Sequence, residues 1–262
     1  MNNTNLYEKD LYLNKNIECL INYGIYEYDI KQAGYNITKY YNLLPKDKIN
    51  ILTALSKENK HVKIGLYQRN DKAYRDSLKQ GFKDIRKEFF EANDIDDSDI
   101  LSIKKDAIFL TKAVKQTHFK NIEFVKKNKY TSYYYLNGME YYYNSKDDVI
   151  HVKGIDDLKL KYHKKYMLSA LQDIFKLQEN NTKDAVEFLI DFANDYKRKE
   201  LPIEFYRELN PISCFKTDIL LNNENQVLYF NDLSEDTEIY SDHIDISFNY
   251  LNVLMPLVSI TF

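Results

Sequence analysis

Gly24-Ile25-Tyr26-Glu27-Tyr28-Asp29-Ile30 and Ile100-Leu101-Ser102-Ile103-Lys104-Lys105-Asp106-Ala107-Ile108-Phe109-Leu110 decide how this chain is read. Each is a β-forming run of Ile, Tyr and Phe, and each carries one aspartate at a strand end or beside a turn. A lone aspartate in such a place commonly caps a turn. Two of them on neighbouring strands are a different matter. Hard oxygen ligands held rigidly and close together are what a pair of divalent cations requires.

Working outward, Gly34 marks a turn, residues 36–43 form a short helical segment, and Pro45 opens a helix with Ile49, Leu52 and Leu55 on one face. The clearest helix spans 71–92, where Tyr74, Leu78, Phe82, Ile85 and Phe89 make one apolar stripe. Lys72, Arg75, Lys79, Lys83 and Arg86 follow the same spacing beside it. Five cations on so narrow a face repel one another unless an anion or water screens them. Beyond the second aspartate, 121–127 reads as a strand. Tyr130–Leu136 and Met139–Tyr143 then flank Asn137-Gly138, a type I′ hairpin signal. Residues 149–155 read as one more strand. Helices are expected at 164–178 and, capped by Thr182, at 183–199; Pro202 stops the second. Residues 1–20 carry only a weak helical pattern, and 212–262 read as short strands and loops.

The totals describe a globular chain: 262 residues, 44% hydrophobic and 29% charged, with a net charge of −3. Cys19 and Cys214 lie far apart, without CxxC spacing, which fits a reducing compartment and argues against cysteine-held zinc. No apolar run approaches a membrane span, so a cytoplasmic protein without membrane contact is expected. The five histidines have no zincin spacing, and no P-loop, GxGxxG or GxSxG is present. The acidic run Asp94, Asp96, Asp97 and Asp99 lacks the glycine and glutamate of a calcium loop and reads as a solvated turn. The modest net charge hides an asymmetry. Residues 60–130 hold 17 Lys and Arg against 11 Asp and Glu, a balance of +6; residues 201–262 hold 2 against 10, a balance of −8. The centre suits phosphates, and the acidic end suits a basic protein partner.

The order of several short segments resembles the palm of a DNA polymerase, closest to family B. Asp29 through Ile37 resembles motif A, with Gln32 at the family A position and Tyr35 one place beyond the family B tyrosine. Ser102–Leu110 resembles motif C. Family B usually carries two aspartates there; Lys104 stands at the first and Asp106 at the second. The intervening helix lies where the family grips the triphosphate, although its Lys…Asn…Tyr-Gly signature is not recognisable here. Lys126–Tyr130 resembles the Lys-x-Tyr strand that meets the primer, with Lys127 displaced by one position. The resemblance covers residues 22–200 and leaves no room for an exonuclease domain.

The resemblance implies an α+β fold: a polymerase-palm-like antiparallel sheet with helices on one face, then a helical thumb-like region and a small β-rich tail. It divides the chain into an N-terminal extension (1–20), a palm and fingers region (21–163) and a thumb-like and acidic C-terminal region (164–262). It implies template-directed nucleotide transfer to a 3′-hydroxyl. Asp29 and Asp106 would hold Mg²⁺ or Mn²⁺. Gln32, Tyr35, Arg69, Lys72, Arg75 and Lys79 would meet the nucleoside triphosphate, and Lys127, Lys129, Tyr130 and Lys153 the nucleic acid, DNA rather than RNA. The alternative is a catalytically silent, polymerase-like binding protein of a phage or mobile element, docking on a protein or nucleic-acid partner. The tyrosines at 133–135 and 141–143 would then either stack on bases or fill a core. The Tyr- and Lys-rich, Trp-free composition fits a low-GC bacterium or its phage.

Overall fold

A computed structural model describes residues 5–136, 139–153, 166–198, 200, 217–221 and 224–228. The chain is α+β with antiparallel sheets, and it divides into two compact units. Unit 1 comprises residues 1–17 and 23–130; unit 2 comprises 18–22 and 131–262. The boundary expected near 160–165 falls inside the second unit, at residues outside the described ones.

The first unit is built on β1 (Leu11–Leu13), β3 (Ile25–Ile30), β4 (Ile100–Lys104), β5 (Ala107–Leu110), β6 (His118–Phe119) and β7 (Ile122–Tyr130), in the spatial order β1-β4-β5-β3-β7-β6. Strand alternation divides the central strand between two environments. Tyr28 and Ile30 enter a core with Ile103, Ile108, Leu110 and Phe124, while Asp29 between them faces away from it. Four helices cover the core side: α1 (Ala33–Tyr40), α2 (Lys46–Ala54), α3 (Lys57–Asn70) and α4 (Lys72–Ala92). The apolar stripe read in the sequence of α4 is the buried one: Tyr74, Leu78, Ile85 and Phe89 are at most 3% exposed. Asp71 starts that helix by accepting a hydrogen bond from the Tyr74 amide at 2.9 Å. Phe89 stacks on Phe124 with ring centroids 4.0 Å apart, and Tyr28 and Phe119 pack around it. Gly81 lets α1 approach closely; a β-carbon there would lie 2.6 Å from Cγ2 of Ile37.

Three elements differ from expectation. Gly34, read as a turn ahead of a helix at 36–43, lies inside α1, which starts at Ala33. β1 replaces the weak helical pattern of the N-terminal stretch. Its three residues pair with β4, Leu11 opposite Lys104, so partner strand rather than periodicity decides its conformation. Helix α3 has no apolar period to reveal it. Ile64 is its buried residue, and Ser56 caps it by accepting from the Asn59 amide at 3.4 Å.

The second unit holds β2 (Cys19–Leu20), β8 (Ser132–Leu136), β9 (Met139–Asn144) and β10 (Val149–Lys153) in the order β10-β9-β8-β2. Strands β8 and β9 form the hairpin expected from Asn137-Gly138, although those two turn residues lie outside the described ones. Met139 to Tyr143 are buried without alternation, so both faces of β9 are covered. On one face Phe175 packs against Tyr134 and Tyr143 at 5.1 and 5.2 Å; on the other Tyr133 meets Tyr142 at 5.0 Å. Phe175 belongs to α5 (Tyr166–Asn180), which pairs with α6 (Thr182–Arg198) through a short turn. A further hairpin joins β11 (Thr217–Leu221) to β12 (Glu224–Leu228). Most of the acidic 201–262 stretch, and with it the surface expected to dock a partner, lies outside the described residues.

Candidate active site at the ends of three strands

Asp29 sits one residue before the end of β3. Asp106 sits in the two-residue turn that joins β4 to β5. Because β5 lies beside β3 with Ala107 opposite Asp29, the turn brings Asp106 to the neighbouring position. The Ile30 amide donates to the Asp106 carbonyl at 3.3 Å, which ties the two backbones together. Adjacent strands run about 4.8 Å apart, so the two carboxylates share one small region.

Both turns carry backbone that ordinary side chains avoid. Lys105 has φ +59° and Gln32 has φ +45°, each in the left-handed region. Such a conformation costs roughly 1–2 kcal/mol for a non-glycine residue, so surrounding contacts must hold it. Arg86 supplies them at Lys105. Its side chain is 1% exposed, and its guanidinium donates to the Lys105 carbonyl at 2.7 Å, to the Tyr7 carbonyl at 2.7 Å and to the Lys9 carbonyl. The Lys105 amide donates to the Asp10 carbonyl at 2.8 Å. One buried cation therefore fastens the Asp106 turn to the segment that presents Asp10. Burial pulls the Arg86 pKa down, and Asp10 and Asp106 push it back up.

Asp29, Asp106 and Asp10 line a cavity of about 1280 Å³. Its helical side supplies Lys57, Lys60 and His61 from α3 and Arg75 and Lys79 from α4. Burial, and next the nearby Asp29 charge, raise the Asp106 pKa above the ordinary carboxylate value; Lys105 and Lys127 oppose the rise. Two carboxylates so placed favour a proton on one of them or a cation beside them. Lys127 provides one, its Nζ 3.1 Å from Oδ2 of Asp29.

Gln32 lines the cavity, and its buried Oε1 has no hydrogen-bond partner. Tyr35 also lines it. The Tyr35 hydroxyl pairs with Thr53 Oγ1 at 2.8 Å, and its ring carries the Lys60 ammonium at 4.6 Å from the centroid. The paired carboxylates and the unpaired amide oxygen are hard donors of the kind Mg²⁺ and Mn²⁺ take. Among the described residues no three acidic, histidine or cysteine side chains gather into a cage. That set suits an ion that binds through one or two carboxylates and completes its shell with water and substrate oxygens.

The remaining sequence expectations lie elsewhere. Arg69 lies in the last turn of α3 and Lys72 begins α4, and neither lines the cavity. Lys129 is exposed and lies over the Tyr26 ring at 5.9 Å. Tyr130 is fully buried, and its hydroxyl donates to Glu27 at 2.7 Å. Lys153 ends β10 in the second unit. Lys104 ends β4, two strands from Asp29, and is not part of the cavity wall. Asp10 and the α3 cations gave no sequence signal. Arg86 gave one as a member of the α4 cation stripe, though not of its burial. The acidic run 94–99 is a turn closed by a capping box at Asp96 and Asp99.

The sequence matches, over residues 1–262, the model of a family described as Bacteriophage PBS1 gene 130 protein. The chain belongs to that family. No curated protein matches it. Composition left a low-GC bacterium or its phage open; family membership favours the phage and is silent on chemistry. Among the described residues no helix is long and apolar enough to cross a membrane.

Proposed function

We propose that this phage protein is a minimal, palm-like, template-directed nucleotidyltransferase. The observation that carries the reading is the adjacency of Asp29 and Asp106. One stands at the end of a central strand just before a helical excursion; the other stands in the hairpin turn of the next strand. Four consecutive strands in space, β4-β5-β3-β7, frame that pair as a polymerase palm would. Lys127 stands on β7, beside β3 and one position from the primer-contacting lysine of the resemblance.

Each residue then has a task. Asp29 and Asp106, with Gln32 beside them, present hard oxygens to divalent cations. Bound Mg²⁺ or Mn²⁺ would activate the attacking 3′-hydroxyl and neutralise charge on the phosphates. Arg75 and Lys79, joined by Lys57 and Lys60, bind the triphosphate by charge. Tyr35 closes the cavity beside the sugar. Lys127 meets the growing strand. The 3′-oxygen forms a bond to the α-phosphorus as the bond to the bridging oxygen breaks and pyrophosphate leaves; the protein contributes chiefly alignment and charge.

The test is incorporation of labelled dNTPs or rNTPs by the purified chain on single-stranded and primed templates with Mg²⁺ or Mn²⁺. The expected outcome is incorporation that Asp106→Asn reduces by at least about 100-fold. Equal incorporation by wild type and Asp106→Asn overturns the assignment. A folded wild type that binds nucleic acid without incorporating nucleotide favours the silent binding protein instead.

A further inference from the structure

Lys127 holds its place by a departure from regular pairing. Along β7 Asn128 lies opposite Glu27 and Lys126 opposite Tyr28, so Lys127 is the extra residue of a β-bulge. Bulges recur beside active sites, where they re-aim one side chain. Here the re-aimed ammonium reaches Asp29 at 3.1 Å and lines the same cavity as Asp106. Its side chain is 48% exposed, so it is free to leave. A lysine on a four-carbon stem is a movable point charge. An ammonium in hydrogen-bond contact with a carboxylate oxygen takes a position that a hard cation needs.

We propose that Lys127 is an exchangeable placeholder: it neutralises Asp29 until a phosphodiester strand draws its ammonium away, so that strand binding and divalent-cation binding are coupled. This rests on the nucleotidyltransferase reading of the same site. The bulge gives the lysine two anionic partners within reach of one stem, the carboxylate in the absence of nucleic acid and a backbone phosphate in its presence. The cation then enters a site whose negative charge has just been released. Coupling is reciprocal, so the cation tightens the strand by the factor with which the strand tightens the cation. Such ordering loosens the hold of the paired carboxylates on a metal where no strand is present to use it.

Mn²⁺ titration of the full chain, followed by the electron paramagnetic resonance signal of the free ion, tests this. The probes are wild type, Lys127→Met and Asp29→Asn, each with and without a short oligothymidylate. Without the oligonucleotide, Lys127→Met is expected to bind Mn²⁺ roughly two- to fivefold more tightly than wild type, the size of an exchangeable surface ion pair. The oligonucleotide is expected to tighten Mn²⁺ binding to wild type and to leave Lys127→Met unchanged. Equal affinities of wild type and Lys127→Met, with binding lost in Asp29→Asn, overturn the placeholder and leave the metal site standing. No Mn²⁺ binding by either wild type or Lys127→Met overturns the metal site and the placeholder together.

Discussion

The two larger sheets of this chain are both largely buried, and they differ in what stands at their strand ends. In the second unit tyrosines run along β8 and β9 with both faces covered, and Tyr133, Tyr134, Tyr141, Tyr142 and Tyr143 are at most 2% exposed. In the first unit β4 and β5 are buried along most of their length, and Ile25, Leu101, Phe109 and Tyr130 are fully buried. Towards the end of β3, however, Tyr28 and Ile30 go to the core while Asp29 between them stays at the edge of a cavity. A sheet buried on both sides yields stability. Strand ends and a turn that reach a cavity yield a place for chemistry, provided that rigid neighbours hold their charged groups. Tyrosine content by itself says little about nucleic-acid binding; the position of charge on the pleat says much more.

The largest effect expected from this contrast is on stability and falls on both sheets alike. Phe89→Ala removes the ring that stacks on Phe124 and packs against Tyr28 and Phe119, and Phe175→Ala removes the ring that Tyr134 and Tyr143 enclose. Each is expected to cost about 3–5 kcal/mol in urea denaturation. A cost under about 1 kcal/mol at Phe175 would break the description of the second sheet as buried on both faces.

Arg86→Met comes next. It leaves the carbonyls of Tyr7, Lys9 and Lys105 without their donor, for an expected loss of roughly 2–4 kcal/mol. Arg86→Lys is expected to recover only part of it, because one ammonium cannot reproduce the guanidinium fork. Full recovery by lysine would mean that charge alone, and not the three-carbonyl clamp, holds the Lys105-Asp106 turn.

The smallest effect carries an unusual sign. Burial and the Asp29 charge raise the Asp106 pKa, so the folded chain holds that proton more tightly than the unfolded chain does. The favourable contribution is complete below the ordinary value of 3.8 and is lost as pH rises through the higher folded value. Asp106→Asn is therefore expected to melt at or above wild type at pH 7, with the gap closing as pH falls towards 3.8. A variant that melts well below wild type at pH 7 would assign Asp106 a structural role and remove the sign of a functional one.

Much of this architecture is legible in the sequence, for physical reasons that differ by element. Helix α4 announces itself because its buried residues recur every three or four positions over 21 residues. The β8–β9 hairpin does so through β-forming runs around Asn-Gly. Asp29 and Asp106 could be named because each interrupts an apolar run at its end. Helix α3 was invisible because a single buried residue, Ile64, imposes no period. Asp10 was invisible because it precedes a three-residue strand whose only determinant is its partner. The Lys-x-Tyr resemblance makes Tyr130 a nucleic-acid contact; the strand turns it inward to Glu27. Alternation is legible locally, whereas the face a strand presents depends on what packs against it, and that is long-range information.

The measurement that most directly tests the shared site is the melting temperature of wild type, Asp29→Asn and Asp106→Asn, each with and without millimolar Mn²⁺. If the two aspartates hold one cation site, Mn²⁺ raises the wild-type melting temperature by about 3 °C and leaves both variants where they were. If each variant keeps the full wild-type shift, the two carboxylates do not act together and the central claim is wrong.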